Sequence, residues 1–255
     1  MMLPAHRDGH VVVTQPAHAW LSGQLARAWG NERFGRFEPW EDVCLAAEQH
    51  DVGMTAWDQS PTLDPATGLP ATFMQMDLET HLRQWTEGPK RVLVQSPYAA
   101  LLTSMHGSAL FQRRREDPRV AEFLTARRAF EERLVSTLDV PAAEVARNQR
   151  LLWTWDGMSL GLILGWAPWR AERVPAIDGG MLDVRLERDG DVHTLEPWPF
   201  ASARVTVRVE GRVLRRTFTS VEHLHEALAK ASWTKLEYEL RPAELLNRRR
   251  SSPNS

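Results

Sequence analysis

Cysteine is almost absent: Cys44 stands alone among 255 residues. No intrachain disulfide can form, and a disulfide-stapled secreted fold is excluded. No apolar run approaches the roughly 18 to 20 residues of a membrane-spanning helix, and the opening Met1-Met2-Leu3-Pro4-Ala5-His6-Arg7-Asp8 lacks the apolar stretch of a secretion signal. A cytoplasmic protein with no membrane partner is expected. Neither sign of charge is in excess, since 31 basic residues meet 33 acidic ones for a net charge of -2. The basic residues are also spread along the chain, so nucleic acid is not an expected partner. No glycine-rich phosphate loop occurs, and the Gly-x-Ser-x-Gly string Gly157-Met158-Ser159-Leu160-Gly161 falls inside a long helical pattern, not at the strand-to-helix turn of a nucleophile elbow, so a serine hydrolase is disfavoured.

What is present is enough apolar material, 43% of residues, to build a core of ordinary size. Thr14 and Pro16 open a helix on which Trp20, Leu21, Leu25, Ala28 and Trp29 recur at helical spacing until Gly30. A second helix starts at Pro39 and places Trp40, Val43, Ala47 and His50 on one face before Gly53. Residues 59 to 72, rich in proline, read as a long ordered loop. Asp77 caps a short helix with the face Leu78, His81, Leu82 and Trp85, closed by Gly88-Pro89. Ser96-Pro97 starts another that carries Leu101, Leu102, Met105, His106 and Ala109 inward. Asp117-Pro118 opens a charged helix to about Leu138. The last long helix, Pro141 to about Leu164, presents Val145, Leu152, Asp156, Leu160 and Ile163.

After Pro168 the period becomes alternating. Residues 182–186, 204–209 and 235–240 read as half-buried strands, with turns at Gly190 and Glu210-Gly211 and an amphipathic helix at 221–232. Val11-Val12-Val13 adds a small strand in an otherwise short leading tail. The expected fold is mainly α: a helical metal-binding domain over 14–168, a small α+β, β-rich unit over 175–245, and a disordered tail over 246–255.

The chemistry is carried by histidine. Four of the nine histidines, His18, His50, His81 and His106, fall on the apolar faces of four separate predicted helices. Imidazole nitrogens and carboxylate oxygens are ligands that first-row divalent metals accept, and Asp51 and Asp156 supply the oxygens. Taken singly, a histidine on an apolar helix face is more often a satisfied core residue than a ligand, and Asp51 could be a turn residue before Gly53. Asp156 is harder to place innocently, because a buried carboxylate without a cation or several donors is costly. Together the six read as a buried two-metal site.

His18, the adjacent pair His50-Asp51 and then Asp156 resemble the His, His-Asp, Asp signature of the HD-domain superfamily. His81 and His106 resemble the additional ligands of its binuclear branch. The resemblance implies an all-helical, metal-dependent domain in which Asp51 bridges two divalent ions, His18, His50 and Asp156 hold one, and His81 and His106 hold the other. The ions would be Fe, Mn, Mg, Ni or Zn. The wording around Gln15-Pro16-Ala17-His18-Ala19-Trp20, Glu48-Gln49-His50-Asp51-Val52-Gly53 and Trp57-Asp58 also resembles an uncharacterised bacterial family of unknown function over nearly the whole chain.

Many HD phosphohydrolases carry a basic residue shortly after the first histidine, whereas Trp20, Leu21 and Ser22 stand here. Gln15, three residues before His18, and the basic turn Gly88-Pro89-Lys90-Arg91 are candidate contacts for a small-molecule substrate. A helix cap and a solvated turn are the plainer readings of each. Trp153 and Trp155 flank Asp156 as walls of a dry pocket. The leading expectation is a metal-dependent hydrolase that attacks a phosphoester with metal-activated water. A diiron oxygenase acting on a small polar substrate is the alternative, and a regulatory or binding protein whose metals only stabilise it is the third. No catalytic residue is singled out, and a homodimer is left open.

Overall fold

In the computed structural model, residues 1–244 are described. The chain opens with two short strands, β1 (Ala5–His6) and β2 (Gly9–Val12), before α1 (Gln15–Ala28). Thr14 caps α1 by accepting from the Ala17 N–H, and Pro16 occupies the first turn, where its missing donor is not needed. Next come α2 (Trp40–Gln49), a single tight turn at Val52–Met54, and the five-residue α3 (Thr55–Gln59). The expected loop at 59–72 holds a small antiparallel hairpin of β3 (Leu63–Asp64) and β4 (Leu69–Pro70).

α4 (Leu78–Leu93) is longer than its sequence suggests, because Gly88-Pro89 does not end it. A proline inside a helix costs about 3 kcal/mol, yet Gly88 packs so closely on Gly53 that an added β-carbon would touch its backbone at 3.4 Å. Residues 88–91 are helical and not a turn. α5 (Pro97–Phe111) is capped by Ser96 and α6 (Pro118–Val135) by Asp117. α7 (Ala142–Leu164) ends where Gly165 takes a left-handed conformation, φ 65°.

Strands β5 (Trp169–Pro175), β6 (Met181–Asp189), β7 (Val192–Glu196) and β8 (Val205–Leu214) follow, then α8 (Val221–Lys230) and β9 (Trp233–Pro242). All strands except β3 and β4 form one seven-stranded sheet in the order β1-β2-β8-β9-β7-β6-β5, antiparallel except where β7 meets β9. Glu210-Gly211, expected as a turn, lies inside β8, whose ladder to β9 runs through Gly211 opposite Thr234. Glycine is required there because a β-carbon would stand 2.4 Å from the Val11 side chain as β2 comes alongside.

The expected mainly α, HD-domain-like bundle with a small α+β appendage is thus overturned by a large, curled mixed sheet. The physical reason lies in the helices themselves. α1 and α7 are apolar over too wide an arc to be covered by other helices, and the inward residues of the sheet complete one continuous core with them. Leu21, Leu25, Leu152 and Trp155 share that core with Val207 and Val209. Each such side chain contributes roughly 1.5–3 kcal/mol of burial. Among the described residues no helix is long and apolar enough to cross a membrane. The expected disordered tail over 246–255 lies outside the described residues.

Candidate metal centre

Five of the six predicted ligands converge from four helical elements. His18 comes from α1, His50 and Asp51 from the end of α2, His106 from the middle of α5 and Asp156 from the middle of α7. His18 Nε2 lies 2.9 Å from Asp156 Oδ1 and 3.6 Å from Asp51 Oδ2. His50 Nε2 stands 3.5 Å from both Asp51 Oδ2 and Asp156 Oδ1. His106 Nε2 is 3.5 Å from Asp156 Oδ2. Two trios, His18 with His50 and Asp51, and His50 with His106 and Asp156, each bring their ligand atoms within 4.8 Å of one another. The three imidazoles are 1% exposed, and only Asp156 keeps a partial opening to solvent, with 13% of its side chain exposed.

The donor set fits a divalent cation on two counts. First, His50 Nδ1 donates to the Ala47 carbonyl at 3.0 Å, so in the neutral ring Nε2 carries the lone pair, and that buried atom has no hydrogen-bond partner among the described residues. Second, two carboxylates in a nearly dry pocket demand positive charge. Burial opposes charge on His50, but Asp51 and then Asp156 outweigh it and push its pKa up to about 9. Burial likewise opposes ionisation of Asp156, yet the imidazoles of His106, His18 and His50 that face it hold it well below the usual carboxylate range. What protons supply in this arrangement, a cation can supply instead.

His81 does not join either trio. It is half-buried on α4 with its ring edge-on to Phe111, centroids 5.1 Å apart, and burial lowers its pKa while Asp51 acts in the opposite sense. Gln15 begins α1. Its backbone N–H donates to the Asp58 carboxylate, and its side-chain oxygen is buried without a partner among the described residues. Lys90 and Arg91 lie in the last turn of α4, where Lys90 pairs with Glu87 at 2.7 Å and Arg91 lines a cleft of about 380 Å³ with Gly53, Trp57 and Gln84. Of the expected aromatic walls, Trp153 lies 5.3 Å from the His106 ring and Trp155 turns into the core against Trp29 and Phe37. Trp85 also approaches the His106 ring, with centroids 5.6 Å apart.

Residues not singled out as functional from sequence surround the ligands. Asp58 is buried, accepts from the Met1 ammonium at 2.9 Å and anchors the start of α1 through Gln15. Ser22 and Ser159 are fully buried beside His18. Their sequence signal is spacing, Ser22 four residues after His18 and Ser159 three after Asp156, which puts each on the same helical face as a ligand; Ser159 also centres Gly157-Met158-Ser159-Leu160-Gly161, which lies inside α7 and not at a strand-to-helix turn.

No curated protein and no solved structure matches the chain. The profile of the family described as "Protein of unknown function (DUF3891)" matches residues 1–216. That span covers most of the 255 residues, and the chain therefore belongs to the DUF3891 family.

Proposed function

We propose that this chain is a metal-dependent hydrolase of the HD type, acting on a small phosphoester substrate with water activated on a divalent cation. One observation carries the reading: His18, His50, Asp51, His106 and Asp156 converge with their nitrogens and oxygens facing one another, and His50 Nε2 is left unpartnered among them. Four of those five follow the His, His-Asp, Asp order of the HD superfamily, here set in a mixed α/β fold. A bound cation would lower the pKa of its water toward neutrality and polarise a phosphoryl oxygen. The protein's part is to hold three neutral imidazoles and two carboxylates in place, and to keep bulk water out with the indoles of Trp85 and Trp153. The partly open side of Asp156 is where substrate would reach the centre. A reducing, cytoplasmic setting suits a chain whose one thiol is buried and free.

His50 has one lone pair to give, so the two trios that share it describe one ion unless another ligand takes part. The second ion of the binuclear pattern depends on His81. A diiron oxygenase is the second reading, favoured by the aromatic walls around His106 and by Trp20, Leu21 and Ser22 standing where a phosphate-binding base would be. Metal analysis of the purified chain, with turnover on phosphomonoesters and phosphodiesters after chelation and reloading, tests the proposal. Stoichiometric Mn, Mg, Ni or Zn with metal-restored phosphatase activity is expected. Spin-coupled iron without phosphatase activity would favour the oxygenase, and absence of stoichiometric metal would overturn both.

A further inference from the structure

Three imidazoles face the centre, and their second nitrogens are held in three different ways. His50 Nδ1 is fixed by a main-chain carbonyl, that of Ala47. His106 Nδ1 is buried with no partner among the described residues. His18 Nδ1 alone is held by a side chain, with Ser159 Oγ 2.6 Å away.

The Ser159 hydroxyl has one proton to give and two lone pairs to receive. Its proton goes to the Asp156 carbonyl at 2.8 Å, three residues back on α7. One lone pair accepts from Ser22 Oγ at 2.9 Å, since the alternative acceptor for Ser22, the His18 carbonyl, lies at 3.4 Å. The remaining lone pair faces His18 Nδ1, and only a protonated nitrogen can fill it. Every hydrogen-bonding position on Ser159 is then satisfied, and a neutral His18 ring on a cation keeps its proton at Nδ1. Nε2, which without a cation donates to Asp156 Oδ1 at 2.9 Å, is then the nitrogen left to face the ion beside Asp51.

We propose that Ser159, backed by Ser22, is a positioning residue that presents His18 to the cation through Nε2. This inference rests on the metal-binding reading above. Ser22 and His18 sit on α1, Ser159 and Asp156 on α7, so one hydroxyl ties together the two helices that bring these ligands to the centre. Ser22 and Ser159 are both 0% exposed, and water cannot stand in for either hydroxyl. Partners of this kind set ring orientation and ligand basicity, and their loss typically weakens metal affinity about 10- to 100-fold.

The test titrates Co²⁺ and Zn²⁺ against a competing chelator in the full chain and in Ser159→Ala, Ser22→Ala and Ser159→Thr, with thermal melts of each metal-free protein. Ser159→Ala should bind about 10- to 100-fold more weakly while its metal-free melt stays close to that of the parent. Ser22→Ala should lose less, and Ser159→Thr, which keeps the hydroxyl, should recover most of the affinity. In the unaltered, metal-loaded chain, ¹⁵N-resolved imidazole spectra should show His18 protonated at Nδ1 and not at Nε2. Should Ser159→Ala fail to fold, this spectrum decides alone. An alanine variant that binds as the parent does, or a His18 ring protonated at Nε2 in the metal-loaded chain, overturns the role of Ser159 and leaves the metal reading standing. A parent chain that binds neither ion removes both.

Discussion

Gly107 lets the indole of Trp85 lie directly on the helix that carries His106: a β-carbon at position 107 would stand 2.6 Å from Trp85 Cε3. The indole then reaches the His106 ring, centroids 5.6 Å apart. Gly107→Ala should push Trp85 outward and loosen that ring. A destabilisation of about 1–3 kcal/mol is expected, which for a chain of this size is a fall in Tm of roughly 2–12 °C. Thermal denaturation with and without metal checks it, and an unchanged Tm would mean that the indole moves freely.

Asp156 is the carboxylate that all three imidazoles approach. Asp156→Asn keeps the volume and removes the charge, so the centre loses half of its anionic character. Stoichiometric metal should be lost while the far-ultraviolet circular dichroism of the chain is retained. Elemental analysis after gel filtration reads this directly, and an asparagine variant that keeps its full complement of metal contradicts the assignment.

His81 separates the one-ion and two-ion readings. Because its ring packs on Phe111 and lies outside both trios, His81→Ala should leave one cation per chain in place. If the parent carries two, the variant should carry one. Loss of all metal on this substitution would show that His81 belongs to the primary ligand set.

Cys44 is fully buried on α2, and burial pushes its thiol up to about 12, against the opposing pull of Arg27. A thiol needs both exposure and thiolate character to react. At about pH 8 the native chain should therefore be inert to a disulfide reagent such as DTNB and release one equivalent only after denaturation. Fast labelling of the folded chain would count against this packing of α2.

Local signals carried much of the helical part. Thr14, Asp77, Ser96 and Asp117 each cap the helix that their position predicts, because a cap is a short-range hydrogen bond written in four residues. Gly88-Pro89 points locally to a helix end, yet α4 runs through it and Gly88 packs on Gly53, far back in the chain, a contact with no mark in the neighbouring sequence. The sheet is hidden from the local sequence in the same way. β2 pairs with β8 and β7 with β9, and such pairings leave no mark in the neighbouring sequence. β5 hides its alternation behind an irregularity between Ala171 and Val174. At the candidate site, helical periodicity told which way His18, His50, His106 and Asp156 face. It could not tell how far His81 reaches, and it carried no signal for hydroxyls such as Ser159, which pass for small core residues.

Val11 sits across from Val213 in the finished sheet. A ribosome therefore releases β2, all four helices that bear ligands and Asp156 itself before the strand that β2 must join has been made. α1, which packs on β8, keeps its sheet-facing side bare for that interval. A transcript broken near codon 168 would yield a product that holds His18, His50, Asp51, His106 and Asp156 yet leaves that flank bare and sticky.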